Sequence, residues 1–507
     1  MARTPRARLI ACALTAGLSL TLAAPAIAAP PGGAPDRLTR AVTLPGITEH
    51  LQALQAIATA NDGTRASGTP GYTASADYVA EKLEAAGLRV TRQSFDFPFY
   101  RETGPSAFER TAPTPTTYAL DTDYLVMEYS GSGEAIGAVV AVDLSLADPS
   151  TVTSGCEASD FADFPAGAIA LLQRGTCPFG DKAANAEAAG ASGAIIMNQG
   201  NGGPDRTDLF GGTLGAPVGI PVVSVSFALG GELAQDGTAA RISTQTESQI
   251  RSTENVIGDL APRNARKAGK TVVVGAHLDS VIDGPGINDN GTGTSAILEI
   301  AEQLARGQKP VNPVRFGFWG AEEAGLLGST HYVGSLTEAE LGQIGLNLNF
   351  DMLGSPNWAR LVYDGDGSDT GTAGPSFSGE IEQTFLSYFE GRGLATQPTA
   401  FDGRSDYGPF IDVGIPAGGL FSGAEAIKTA EQVDLFGGVL GEALDRCYHL
   451  ACDTLSNIGE TGLDQLSDGA AYATAVYAFE RTSPGKAKGK TKAQKDRAEF
   501  RGPQRRR

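Results

Sequence analysis

The chain has 507 residues, of which 41% are hydrophobic and 19% are charged, and its formal net charge is −19 at pH 7. This length is sufficient for two or three domains with a large core. The acidic balance argues against nucleic acid or an anionic membrane as the main partner.

Export is predicted from residues 1–29. Three arginines precede an apolar run over residues 9–24, and the small residues after it resemble a signal-peptidase site near Ala28 or Ala29. The apolar run is short for a membrane span and nothing later extends it, so we expect a secreted protein without a membrane span. At the other end, residues 483–507 are basic and poor in apolar side chains, which predicts a disordered tail, either solvated or attached to an anionic cell surface.

The rest of the chain divides into a catalytic domain and an insert. Helical spacing of apolar residues predicts helices between residues 36 and 88, and residues 90–99 alternate like a strand that Pro98 ends or confines to a sheet edge. Residues 120–250 carry short strand signals without a catalytic pattern. We therefore predict a small β-rich domain there, inserted between residues 37–119 and 251–482 of the catalytic domain.

Strands and helices alternate along the second catalytic segment. Strands are expected over residues 271–276, 314–319, 346–352 and 360–363, and helices over residues 294–304, 326–333, 338–344 and 379–390. This alternation predicts an α/β fold, with a mixed central sheet and helices on both faces. In such sheets, functional side chains gather beyond the strand ends.

Candidate metal ligands follow these strands. They are His277 and Asp279 after the first strand, Glu322 and Glu323 after the second, Asp351 at the end of the third, Asp289 in a glycine-rich loop, and His449 near the end of the domain. Two histidines with several carboxylates suit a borderline metal such as zinc. The other two histidines, His50 and His331, lie on expected helices, where a structural or solvated role is favoured.

Disulfides are expected in an exported chain. Four of the five cysteines remain after signal removal, and four cysteines allow three pairings. Spacing favours Cys156 with Cys177 and Cys447 with Cys452, because each of these pairs lies within one local unit.

The insert resembles the protease-associated domain. The matching pieces are AIALL at residues 168–172, RG at 174–175, CPF at 177–179, Lys182 and AGA at 189–191. The resemblance implies a module that covers or shapes an active site, or that contacts substrate. A spacer without effect on substrate is the alternative.

The catalytic region resembles secreted bacterial co-catalytic zinc aminopeptidases and fungal aminopeptidase Y. The motifs that carry this resemblance are GAHLDS, GPGINDNGTG, FWGAEEAGLLGS, NFDMLGSP, GRSDYGPFIDVGIPAGGLFSGAE and CYHLACDT. The resemblance implies a zinc-exopeptidase fold and two zinc ions per chain. Asp289 would bridge the ions, His277 and Asp351 would complete one site, and Glu323 and His449 would complete the other.

The resemblance also implies roles for neighbouring residues. Glu322 would be the general base, Tyr448 would stabilise the tetrahedral oxyanion, and Asp279 would accept a hydrogen bond from the second ring nitrogen of His277. Substrate binding is expected at Arg404 and at an apolar pocket with Phe421 and Gly423 as wall residues. The Asp289–Asn290 peptide bond is expected to be cis.

The sequence thus predicts a metallo-aminopeptidase that acts on peptides with apolar, Leu-like N-terminal residues. One alternative is a carboxypeptidase or amidohydrolase of the same fold, which would need cationic groups for a free carboxylate. Another is a receptor-like binding protein, which the complete ligand set disfavours. We expect a monomer, and calcium is not indicated because no EF-hand-like loop occurs.

Overall fold

The computed structural model describes residues 32–480, so the predicted signal peptide and basic tail lie outside the described residues. The helices are α1 Ala34–Ala41, α2 Leu44–Ala60, α3 Pro70–Ala85, α4 Phe179–Ala188, α5 Pro204–Thr207, α6 Phe227–Leu233, α7 Gly293–Arg306, α8 Leu327–Ser335, α9 Glu338–Leu341, α10 Ser378–Glu390, α11 Tyr407–Asp412, α12 Ala430–Phe436 and α13 Glu460–Phe479. The strands are β1 Arg89–Glu102, β2 Ala107–Ala112, β3 Thr116–Tyr118, β4 Tyr124–Val126, β5 Gly133–Ala141, β6 Ile169–Gln173, β7 Gly193–Met197, β8 Val222–Val225, β9 Ala239–Thr244, β10 Thr246–Leu260, β11 Thr271–His277, β12 Val314–Trp319, β13 Ile344–Phe350, β14 Leu361–Tyr363, β15 Gln397–Thr399 and β16 Ala417–Phe421.

The central sheet has eight strands in the order β1-β10-β12-β11-β13-β16-β14-β15. Strands β12, β11, β13 and β16 pair in parallel, while the β1–β10, β10–β12 and β14–β16 pairs are antiparallel. The predicted mixed central sheet is therefore confirmed. Its parallel centre aligns the carboxyl ends of β11, β12 and β13 at one edge, which is where ligands bind in such sheets.

Helices cover both faces of this sheet, as predicted. Along β11, Val272 and Val274 belong to a core with residues of α7 and α13, whereas Val273 belongs to a second core with residues of α8 and the α11 region. Alternate side chains of a strand point to opposite faces. The valines of β11 therefore pack alternately against the helices on the two faces of the sheet, as expected for a parallel strand buried on both sides.

The insert contains the second eight-stranded sheet, in the order β3-β2-β9-β5-β6-β7-β8-β4. Strands β1 and β10 form a long antiparallel ribbon that leads from the central sheet to this sheet, from the Arg89–Asp259 pair to the Glu102–Thr246 pair. The second sheet already includes β2 and β3, which precede the expected boundary at residue 120. The domain boundaries themselves stay a prediction.

Several element ends differ from expectation. Strand β1 extends to Glu102 beyond the expected end at residue 99, whereas the expectation that Pro98 lies on a sheet edge is confirmed, since β1 is an edge strand of the central sheet. The helix expected over residues 338–344 is wrong at its end, since α9 stops at Leu341 and Ile344 already pairs with Thr271 of β11. Sheet pairing has overridden the local helical pattern there.

Both expected disulfides are present, Cys156–Cys177 in the insert and Cys447–Cys452 in the catalytic domain. Within residues 32–480, no helix is both long and apolar enough to cross a membrane.

Candidate active site

His277, Asp351 and Asp289 meet at the carboxyl edge of the central sheet. His277 ends β11, Asp351 directly follows β13, and Asp289 lies in the turn before α7. The Nε2 atom of His277 lies 3.2 Å from Oδ1 of Asp289 and 3.2 Å from Oδ1 of Asp351. The peptide bond between Asp289 and Asn290 is cis, as expected.

A second group of donors shares Asp289. The Nε2 atom of His449 lies 3.1 Å from Oδ2 of Asp289 and 3.1 Å from Oε2 of Glu323. The two carboxylate oxygens of Asp289 therefore face different histidines. Such an arrangement suits an anion that bridges two cations.

The donor set fits zinc. In a tetrahedral site with metal–ligand bonds of about 2.0–2.2 Å, neighbouring donor atoms lie about 3.3–3.6 Å apart, slightly more than the distances above. Moreover, Oε1 of Glu323 is buried and has no hydrogen-bond partner among the described residues, and the only polar side-chain partner of Oδ2 of Asp289 there is Nε2 of His449. Buried carboxylate oxygens without partners are costly unless a cation satisfies them.

Glu322 lies beside these donors but farther from His277. Its Oε2 atom is 3.9 Å from Nε2 of His277, although the residue could still join a donor group with His277 and Asp351. Burial raises the pKa of Glu322 well above its ordinary value; His277 opposes this shift and the charges of Asp406 and Asp351 add to it.

Asp279 contacts His277 and also the backbone of Glu322. The Nδ1 atom of His277 is closest to the backbone oxygen of Asp279, at 3.1 Å, and is 3.7 Å from its Oδ1 atom. The carboxylate instead accepts a hydrogen bond from the backbone N–H of Glu322, at 3.2 Å. Asp279 thus links the β11 and β12 strand ends.

Tyr448 and Arg404 lie together at the wall of the site. The Tyr448 ring stacks on His449 with centroids 3.8 Å apart, and Arg404 Nη2 donates to the Tyr448 hydroxyl at 3.2 Å. Arg404 also pairs with Glu425 at 2.7 Å. Burial raises the pKa of Tyr448 well above its ordinary value and nearby Asp289 and Glu323 add to the shift, so the hydroxyl keeps its proton.

A cavity of about 500 Å³ opens above the five candidate ligands. Its walls include Phe421 and Arg404, as expected, together with Tyr363. Ala424, rather than the expected Gly423, lines it, because Gly423 packs against Leu444. This volume is within the range of small-molecule sites.

Three residues that hold the candidate ligands were not singled out from the sequence. Ser405 donates to Oδ2 of Asp351 at 2.6 Å, and Asp453 accepts from the backbone N–H of Asp289 at 3.0 Å. Arg65 is fully buried and donates to the backbone oxygens of residues 278, 285 and 286. Asp453 and Ser405 stand inside the quoted motifs, whereas no sequence signal marks Arg65.

The two other histidines have structural contacts. His50 is buried, and its Nδ1 atom lies 2.7 Å from the Tyr78 hydroxyl. His331 stacks on Phe95 with ring centroids 5.0 Å apart.

The fold and the paired His–carboxylate groups define an α/β metallohydrolase. Residues 255–474 match the sequence pattern of peptidase family M28, and residues 136–233 match that of the PA domain. The chain is 47% identical over 443 residues to an aminopeptidase of Pseudomonas aeruginosa, which covers 87% of this chain and 82% of that protein. It is 39% identical to leucine aminopeptidase 2 of Arthroderma otae, covering 87% of this chain and 86% of that protein.

Among solved structures, a zinc aminopeptidase from Bacillus subtilis superposes with a TM-score of 0.58 at 27% identity, over 87% of this chain and 96% of that one. The chain therefore belongs to peptidase family M28 and carries a PA domain as an insert. It is a zinc-dependent aminopeptidase.

Proposed function

We propose that the protein is an exported aminopeptidase that uses two zinc ions to remove apolar, Leu-like residues from peptide N-termini. The observation that carries the proposal is Asp289, whose two carboxylate oxygens face His277 and His449 separately. We assign His277, Asp289 and Asp351 to one ion and His449, Asp289 and Glu323 to the other.

Selection of a free N-terminus follows from charge. The carboxylates of Glu322 and Asp351 line the large cavity and supply a negative field for an α-ammonium group. The side chain of the first residue enters between Phe421 and Tyr363, which favours an apolar group. The leucine aminopeptidase among the relatives supports this preference.

Zinc, when bound, supplies Lewis acidity that activates water for attack near neutral pH. Glu322 takes a proton from the attacking water and returns it to the amine that leaves. Tyr448 donates its hydroxyl proton in a hydrogen bond to the oxyanion of the tetrahedral intermediate. Arg404, held by Glu425, keeps the Tyr448 hydroxyl directed into the cavity.

Several sequence-based expectations complete the proposal. Residues 1–29 act as the export signal, residues 120–250 form the inserted domain, and residues 483–507 form a basic tail. The enzyme acts as a monomer on peptides.

Hydrolysis of Leu-p-nitroanilide and of its N-acetylated form tests the activity. We expect cleavage of the free form only, with Leu and Phe preferred over Lys and Asp in a panel of N-terminal residues. Activity confined to the N-blocked substrate would contradict the proposal and favour a carboxypeptidase or amidohydrolase. Elemental analysis of the purified protein should give about two zinc ions per chain.

A further inference from the structure

The insert contains a fully buried lysine beside its disulfide. Lys182 lies on α4, and its side chain is 0% exposed. The Nζ atom donates a hydrogen bond to the backbone oxygen of Ser154 and another, at 3.5 Å, to Sγ of Cys156. Since Cys156 is bonded to Cys177, the ammonium group directly contacts one sulfur atom of the disulfide.

The charge of Lys182 has no close counter-charge. Within residues 32–480 no carboxylate forms an ion pair with it, and its two acceptors are an uncharged carbonyl oxygen and an uncharged sulfur. Burial lowers the pKa of Lys182 to about 8, and the charges of Asp160, Asp143 and Asp181 offset only part of this shift. Buried charges are normally paired, so an anion beside Nζ would stabilise the charged lysine.

Opening of the disulfide by a thiol would supply this anion. When a thiolate attacks a disulfide, one sulfur takes part in the new bond and the other leaves as a thiolate, which is faster when the leaving thiol has a low pKa. A neighbouring lysine lowers the pKa of a cysteine thiol. Because Lys182 contacts Sγ of Cys156, Cys156 is the favoured leaving group and Cys177 is the sulfur attacked.

The surroundings of the two disulfides differ. Cys156 and Cys177 are both partly exposed, so a small thiol can approach them. In the part of the chain that the structure describes, no side chain donates a hydrogen bond to a sulfur atom of the Cys447–Cys452 disulfide. A lysine that stabilises a leaving thiolate is therefore a property of the insert's disulfide.

We propose that Cys177 of the insert is a modification site for low-molecular-weight thiols. The thiolate of the small molecule bonds to Sγ of Cys177, the Cys156–Cys177 bond breaks, and its electron pair leaves on Sγ of Cys156. The new thiolate pairs with the ammonium group of Lys182, and the proton of the attacking thiol passes to solvent. The exchange needs no oxidant, and it is independent of the proposed aminopeptidase function.

Reaction of the folded protein with reduced glutathione at pH 7 tests the inference. Free thiols are trapped with N-ethylmaleimide at successive times, and mass spectrometry of the peptides identifies the sulfur that carries glutathione. We expect the adduct on Cys177 at least about 10-fold more often than on Cys156, and Cys156–Cys177 to open at least about 10-fold faster than Cys447–Cys452. An adduct shared evenly by Cys156 and Cys177, or equal opening of the two disulfides, would overturn the inference.

Lys182→Met separates the charge of the lysine from its bulk. It should slow the opening of Cys156–Cys177 about 10-fold and leave Cys447–Cys452 unchanged. Lys82→Met, at a partly exposed lysine paired with Glu49, is the matched control and should react at the wild-type rate.

Circular dichroism checks that the Lys182 variant folds. If it does not, the position of the adduct in the wild-type protein decides the question, since this measurement needs no substitution. A folded Lys182→Met variant that reacts as fast as the wild type would give the lysine a structural role only and contradict the inference.

Discussion

At the residue scale, neighbouring carboxylates have different positions and different proposed roles, as seen for Asp289, Glu322 and Glu323. Asp289 directs one oxygen to each histidine, Glu323 lies 3.1 Å from His449, and Glu322 is 3.9 Å from His277. Glu322 and Glu323 are consecutive residues after β12. The carboxylate of Glu323 is close enough to His449 for the two side chains to bind one ion, whereas the carboxylate of Glu322 is slightly farther from His277. This difference of position underlies the roles proposed for Glu322 and Glu323.

Substitution of the two glutamates is predicted to have different effects on kcat and on zinc content. Glu322→Gln should lower kcat by about 10²–10⁴-fold because it removes the proposed proton carrier, while zinc content stays near the wild-type value. Glu323→Gln, the adjacent matched variant, should lose zinc. Elemental analysis with steady-state kinetics measures both effects, and loss of metal from the Glu322 variant would instead make Glu322 a ligand.

The buried side chain of His50 is predicted to make the free energy of unfolding depend on pH. Burial lowers its pKa to about 4, from an ordinary 6.5, so the folded protein holds it neutral. The unfolded chain binds the proton more readily than the folded protein. The contribution of neutral His50 to the free energy of unfolding is therefore present above pH 6.5 and is lost as the pH falls toward 4. Linkage gives a loss of about 2 kcal/mol between pH 7 and pH 5.

Urea unfolding of the wild type and of His50→Gln at both pH values measures this loss. The Gln variant should lack that part of the pH dependence, since its amide does not titrate. Identical pH dependence in the two proteins would show that His50 does not titrate as described.

At the element scale, the turn from Cys447 to Cys452 carries Tyr448 and His449. His449 has a φ angle of 59°, a left-handed conformation that the short disulfide-closed turn maintains. Asp453, next in the chain, accepts the N–H groups of Asn288 and Asp289. The turn thus connects the proposed bridging residue to the second histidine.

Removal of this disulfide is predicted to impair the site. Cys447→Ser with Cys452→Ser should lower kcat/KM for leucinamide about 10-fold and weaken zinc retention against a chelator, because the turn no longer fixes His449. Cys156→Ser with Cys177→Ser removes the insert's disulfide and serves as the matched control, with leucinamide cleavage near the wild-type rate. Equal effects of the two pairs would mean that general destabilisation, not the turn, explains the loss.

At the scale of the whole molecule, the site gathers residues from the ends of β11, β12 and β13, from the turn before α7 and from the Cys447–Cys452 turn. Four acidic side chains, Asp289, Glu322, Glu323 and Asp351, are buried or nearly so in this one place. Close carboxylates repel one another unless cations or protons neutralise them. We therefore expect metal binding to contribute to the stability of the fold as well as to catalysis.

Chelation is predicted to lower the melting temperature. A ligand present at about 1,000 times its Kd stabilises a folded protein by about 4 kcal/mol, so treatment with 1,10-phenanthroline should shift Tm by several degrees. Added zinc should restore both Tm and activity, and calcium should not restore activity. An unchanged Tm after proven zinc removal would contradict this coupling.

The sequence by itself determined the class of fold and the strand-end positions of His277, Glu323 and Asp351, and its cysteine spacing favoured the two disulfides that the structure contains. These features depend on local patterns: apolar runs that end in His277 or Asp351, and cysteines close enough along the chain to pair. The same local reasoning failed at residues 338–344, where pairing of Ile344 with Thr271 ended the helix.

Only the tertiary structure decided which residues support and border the site. Arg65 donates to the oxygen of Leu278, 213 residues away, and Ser405 donates to Asp351, 54 residues away. Such contacts leave no periodic pattern in the sequence, since a buried hydrogen bond depends on how distant segments pack. For that reason the sequence indicates candidate metal ligands, while only the packing of distant segments shows which residues hold them in place.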